Sequence, residues 1–138
     1  MPKINMFMVC DSINNIQAAG GPVAQITAPR EALRPPIIPG AYSFGIGVGI
    51  RGIDLQTPTR IRYTITDSED NIIFDTGESE LPPMSKPDSI PIDFQGFLIT
   101  TDVRNVVIKA DGLYMFNLFV NGEQMEPQEV PIFKRTDQ

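Results

Sequence analysis

Apolar and polar residues alternate with a period of two along most of the chain, which predicts strands throughout. Phe44, Ile46, Val48 and Ile50 alternate with Gly45, Gly47 and Gly49, and Ile61, Tyr63 and Ile65 alternate with Arg60, Arg62, Thr64 and Thr66. Successive side chains of an extended chain point to opposite faces, so each run has one apolar face for a core and a different face turned away. Tyr114, Phe116, Leu118 and Val120 form another such inward set. Strands are expected near 3–10, 14–18, 23–27, 41–51, 60–66, 71–75, 89–99, 105–109, 112–120 and 128–134. No window of helical length carries a 3.6-residue stripe. One turn around Pro29–Arg34, with proline at a permitted first-turn position, is the only helix candidate.

The residues between these runs are turn formers. Asn121-Gly122 reads as a two-residue hairpin turn, because both residues tolerate positive φ. Asp67-Ser68-Glu69-Asp70-Asn71 is a polar turn joining Arg60–Thr66 to Ile72–Asp75, and Pro82, Pro83 and Pro87 mark a loop after Ser79–Leu81. Ile90–Phe94 alternates again, but Pro91 cannot donate to a ladder, so an edge strand or a bulge is expected there, with a second bulge at Gly96. Short turns between close-set strands predict an all-β fold: an antiparallel two-sheet sandwich, immunoglobulin-like, with a closed β-barrel as the alternative. Phe44, Ile46, Val48, Ile50, Ile61, Tyr63, Ile65, Phe116, Leu118 and Val120 are the expected core.

At 138 residues the chain has the size of one domain, spanning 1–138, with no internal repeat or linker to divide it. Its net charge of −6 disfavours nucleic acid and anionic membranes, and the basic residues occur as scattered singles or near-pairs such as Arg60/Arg62 and Lys134/Arg135. There is no histidine, which removes the commonest general base, the commonest metal ligand and every Ser–His or Cys–His nucleophile pair. With a single cysteine, an internal disulfide is excluded and no structural zinc set is available. Ile4–Cys10 is too short for a secretory leader, and no stretch reaches transmembrane length, so a cytoplasmic protein is expected.

Ile90-Pro91-Ile92-Asp93-Phe94, the run from Asp111 to Glu123 with its Gly112-Leu113-Tyr114-Met115-Phe116 strand and Asn121-Gly122-Glu123 turn, and Val9-Cys10-Asp11 near the start carry a resemblance. The chain resembles a group of small bacterial β-sandwich proteins with an immunoglobulin-like fold. Gly20–Gly40 departs from that pattern in being richer in proline. The resemblance implies the fold and no activity.

Candidate chemistry is sparse. Asp67, Glu69, Asp70 and Asp75 suggest a hard-cation site, but they lack the Asp-x-Asp-x-Asp-Gly spacing and a closing bidentate glutamate, which favours a solvated turn. Cys10 has no basic neighbour in sequence to lower its pKa and reads as a buried, inert thiol. Arg34-Pro35-Pro36-Ile37-Ile38-Pro39 resembles a polyproline ligand, though proline in a globular domain more often stiffens an ordered loop. The glycines at 45, 47 and 49 alternate along a strand and do not match a phosphate loop, which needs a strand-to-helix turn.

A non-catalytic interaction or structural module is therefore the first expectation, binding another protein or a second copy of itself, with no cofactor and no metal. A carboxylate-based or metal-assisted enzyme, its site in loops at one end of the sandwich, is the alternative. The expected self-association face comprises Leu113, Met115 and Phe119 with the bare face of Gly45, Gly47 and Gly49, contiguous if their strands share a sheet. Gly20–Gly40, with Ile26, Leu33, Ile37 and Ile38, is the internal segment able to cover the same face.

Overall fold

The structure is a computed structural model that describes residues 2–19, 21–83 and 90–136. In chain order the strands are β1 (Lys3–Ala18), β2 (Gly21–Arg30), β3 (Gly40–Arg51), β4 (Thr59–Thr66), β5 (Ile72–Asp75), β6 (Ser79–Leu81), β7 (Gly96–Ile108), β8 (Gly112–Val120), β9 (Glu123–Gln124) and β10 (Gln128–Ile132). One sheet has the order β2-β1-β3-β7 and the other β10-β8-β4-β5, with β6 beside β4 and β9 beside β8. Every strand pair is antiparallel. β8 takes one side of β4, so β5 and β6 share the other as two parts of one interrupted strand. The chain changes sheet between β3 and β4, between β6 and β7, and again between β7 and β8, as in an immunoglobulin-like sandwich. Both sheets stay open, which sets aside the closed barrel.

The period-two pattern places the core. Each of the ten expected core residues is 6% exposed or less. Phe116 joins the layers: its ring centroid lies 4.9 Å from Phe7 of the first sheet and 5.0 Å from Tyr63 of its own. Val9, Val103 and Ile108 from the first sheet and Val130 and Ile132 from the second also belong to the interior. Burying groups of this kind contributes about 1.5–3 kcal/mol each, opposed by the entropy of ordering the chain. Tyr114, at the start of β8, donates its hydroxyl to the Ala110 carbonyl at 2.7 Å, a tyrosine corner that pins the turn from β7.

Several elements differ from expectation. The strands near 3–10 and 14–18 are one strand, β1, with a register shift between Ile4 and Met6. Ile4, Phe7 and Val9 therefore turn toward the core, while Met6, Met8 and Cys10 stand opposite Gly49, Gly47 and Gly45. Ile92–Phe94 is a single 3-10 turn closed by the Phe94 N–H on the Pro91 carbonyl at 2.9 Å. Gly96 then starts β7, because a Cβ there would overlap the Ile50 carbonyl oxygen. The strand expected near 105–109 is the end of β7, which bulges where the Asn105 N–H reaches Ser43 Oγ at 3.0 Å. Pro87 and residue 89, the start of the expected 89–99 strand, lie outside the described residues.

The helical turn around Pro29–Arg34 does not form. Leu33 is extended, its N–H bonded to the Pro131 carbonyl at 2.9 Å and its carbonyl to the Phe133 N–H at 3.0 Å. With the Arg135 N–H on the Pro35 carbonyl at 2.8 Å, this segment runs along the outer edge of β10. Those bonds satisfy the backbone that a helix would otherwise have satisfied internally. The proline-rich stretch is thus an ordered strap between the sheets, with Leu33 fully buried.

Candidate functional site

The six residues of the expected self-association face divide between the two sheets. Leu113, Met115 and Phe119 lie on β8, and Gly45, Gly47 and Gly49 on β3 of the other sheet, so they do not make one patch. Only Leu113, at 41%, is exposed; Met115 and Phe119 are half-buried. The Arg62 guanidinium lies 5.4 Å from the Phe119 ring centroid and is held there by a two-point bond to Asp75, at 3.0 and 2.7 Å. Beside it Asn117 Nδ2 donates to Thr66 at 3.1 Å and Gln124 Nε2 to Asn117 Oδ1 at 3.3 Å. This outer face is a polar lattice resting on two half-covered apolar groups.

Gly45, Gly47 and Gly49 are buried by the chain itself. A Cβ on Gly45 would sit 2.8 Å from Cys10 Sγ and 2.9 Å from Ile13 Cγ1, and one on Gly47 3.5 Å from Ile26 Cδ1. Ile13 and Ile26 are cross-strand partners on the β1–β2 hairpin, and both lie over the glycine face. Ile26, from the segment expected to cover this face, does so. Leu33 enters the core instead, and Ile37 stays 67% exposed. Beneath this cover Cys10 is fully buried, and burial first, then the neighbouring Asp11, raises its pKa. The thiol is held out of its nucleophilic form.

From Asp11 onward β1 has β2 as its only strand partner among the described residues, so 11–18 and 21–28 form a two-stranded ribbon. Ile13 and Ile26 share one face of it. Ser12, Asn14 and Ile16 with Thr27, Gln25 and Val23 share the other. The Ile16–Val23 pair is 42% and 44% exposed.

The acidic turn is a self-satisfied loop. Asp67 accepts the N–H groups of Glu69 and Asn71, each at 2.9 Å, and these backbone bonds, that from Asn71 foremost, lower its pKa. Asp75 is committed to Arg62. Among the described residues no group of three or more acidic or thiol side chains is placed to hold a metal ion. The turn borders an open cleft of about 670 Å³ with Lys109, Asp111 and Tyr114.

At another place the structure gathers what the sequence scatters. Arg30, Arg34 and Arg135, with Asp11, Tyr42 and Thr136, line a cleft of about 500 Å³. Arg30 donates Nε and Nη2 to the Asp11 carboxylate at 3.0 and 2.7 Å, and this bond lowers the Asp11 pKa. Arg34 donates Nε to the Phe133 carbonyl at 2.9 Å and Nη2 to the Lys134 carbonyl at 3.1 Å. The half-buried Tyr42 phenol has its pKa raised by burial first and by Asp11, against the opposing pull of Arg30, the Arg34 backbone and Arg135. The sequence scatters these arginines as singles, with Arg135 in a near-pair with Lys134, because the strap and the C-terminal segment meet only in the fold.

No helix among the described residues is long and apolar enough to cross a membrane. No protein-family model matches the chain, and no curated protein matches it.

Proposed function

We propose that this chain is a non-catalytic interaction module that pairs with a second copy of itself through the β1–β2 ribbon. The observation that carries the reading is the exposed Ile16–Val23 pair on a ribbon, 11–18 and 21–28, that has no further strand partner among the described residues. A two-stranded ribbon is marginal in water without a surface to pack on. Ile13 and Ile26 fix one face of this one to the glycines of β3, and the other face is left open. A copy related by a two-fold axis offers the same face in return, so a single patch is its own complement. The polar lattice over Met115 and Phe119 supports the ribbon rather than β8 as the contact.

Light scattering at micromolar concentration tests the reading. The wild type is expected at twice the 15.3 kDa of one chain, and Ile16→Glu combined with Val23→Glu at the single mass with its circular dichroism unchanged. A wild type at the single mass throughout that range overturns it.

A further inference from the structure

We propose that the outer edge of β7, with the cleft at its far end, is a docking site for an extended basic segment of a partner protein, which joins the first sheet as a further strand. Two open sheets have four edges, and three of these are taken, short or blocked. The strap runs along β10, β5 and β6 have only four and three residues, and β2 carries Pro22 and Pro29, which have no N–H to donate. β7 spans 13 residues without a proline, and β3 is its only strand partner among the described residues.

The register fixes which main-chain groups of β7 face outward. The Gly52 N–H meets the Gln95 carbonyl at 2.7 Å and Arg51 stands opposite Gly96, so Phe97, Ile99, Thr101 and Val103 bond to β3. Leu98, Thr100 and Asp102 therefore turn their N–H and C=O groups away from it. From Gly96 to Val103 the usual protections of an edge are missing: there is no lysine and no proline, and Asp102 is the only charge.

Past the bulge, the same edge leads into the cleft of about 670 Å³. Val107 of β7, 53% exposed, and Ile72 of β5, 55% exposed, give it apolar walls. Asp67, Glu69 and Asp111 line it against Lys109, and among the described residues none of the four is in an ion pair. The N–H groups on Asp67 hold its carboxylate in the charged form without neutralising it. Three carboxylates against one ammonium leave two negative charges, which favours a basic occupant over an acidic one. A row of free main-chain donors and acceptors leading to an apolar cleft suits an extended peptide, paired through its backbone and selected by alternate side chains. β2 and β7 are opposite edges of the first sheet, so this contact goes beyond the pairing of copies through the ribbon and does not depend on it.

Fluorescence anisotropy at constant ionic strength, with a labelled eight-residue peptide alternating lysine and valine, tests the proposal. Saturable binding at one per chain is expected, with the matching glutamate–valine peptide about tenfold weaker or more. Alternate amides of a strand face its neighbour, so N-methylation of one alternate set should abolish binding and that of the other should leave it intact. Glu69→Lys and Val107→Lys should each weaken binding about tenfold, whereas Glu129→Lys, the same change of charge on β10, should leave it unchanged. Thermal unfolding without peptide checks that each variant is folded. No saturable binding, equal binding of the two methylated peptides, or equal losses in Glu69→Lys and Glu129→Lys overturn the proposal. A protein that binds no peptide and grows in mass beyond two copies assigns the edge to a second β7 and overturns the basic partner.

Discussion

Gly45 and Gly47 look alike in the sequence and differ in what surrounds them. A Cβ on Gly45 meets Cys10 Sγ and Ile13 Cγ1 under 3 Å, whereas on Gly47 it makes an ordinary contact with Ile26. Overpacking a buried position costs about 1–3 kcal/mol, and removing a glycine recovers about 0.4–1 kcal/mol by restricting the unfolded chain. Gly45→Ala is therefore expected to lower the urea midpoint, and Gly47→Ala to leave it unchanged or raise it. The burial of Cys10 was legible from its place in an apolar run; its contact with Gly45 depends on strand register and was not. Asp75 gives a second test at this scale. Its pKa is lowered to about 2, chiefly by the Arg62 hydrogen bond and then by the Gly77 N–H. A folded-state pKa below the ordinary carboxylate value means that the stabilisation is full above about pH 4 and lost as pH falls through about 2. Acid unfolding followed by circular dichroism should show a flatter limb between those values in Asp75→Asn than in the wild type.

Strands were legible wherever one face is apolar and the other is not, because burial enforces the period of two. Bulges were not. The shift between Ile4 and Met6 moves Ile4 to the core side, and nothing in Ile4-Asn5-Met6 itself announces it. Pro29–Arg34 failed for a related reason: proline at a first turn permits a helix, but the hydrogen bonds that decide the matter come from Pro131 and Phe133, about a hundred residues away. The strap makes its own prediction. Leu33 is fully buried, and its backbone joins β2 to the edge of β10. Leu33→Ala should cost about 2–5 kcal/mol, as for other fully buried leucines. Chemical denaturation should show it far more harmful than Ile37→Ala, which alters a residue 67% exposed on the same strap.

Which strands share a sheet is a property of the whole chain, and the sequence carries it only weakly. Local alternation is the same for β3 and β8, so Gly45 and Phe119 appeared compatible with one surface until topology put them on different sheets. The arginine cleft was hidden for the same reason, since Arg30 and Arg135 meet only once the strap has crossed from one sheet to the other. The two faces of the ribbon differ in how much of them the chain itself covers. Ile13 and Ile26 hold one face to β3, while Ile16 and Val23 stay exposed on the other, the face proposed to meet a second copy. Hydrogen exchange separates the two contributions, because amides in a weakly held element exchange through local opening. If the ribbon opens only when a copy has dissociated, exchange at 11–18 and 23–28 follows the fraction of free monomer. Well above the dissociation constant that fraction falls as the inverse square root of total concentration, so a tenfold rise should slow exchange there about threefold. Amides of β4 and β8, inside the sandwich, should not respond. Equal exchange in the ribbon at both concentrations would mean that the contact with Gly45 and Gly47 holds it unaided, and that its exposed face needs no second copy.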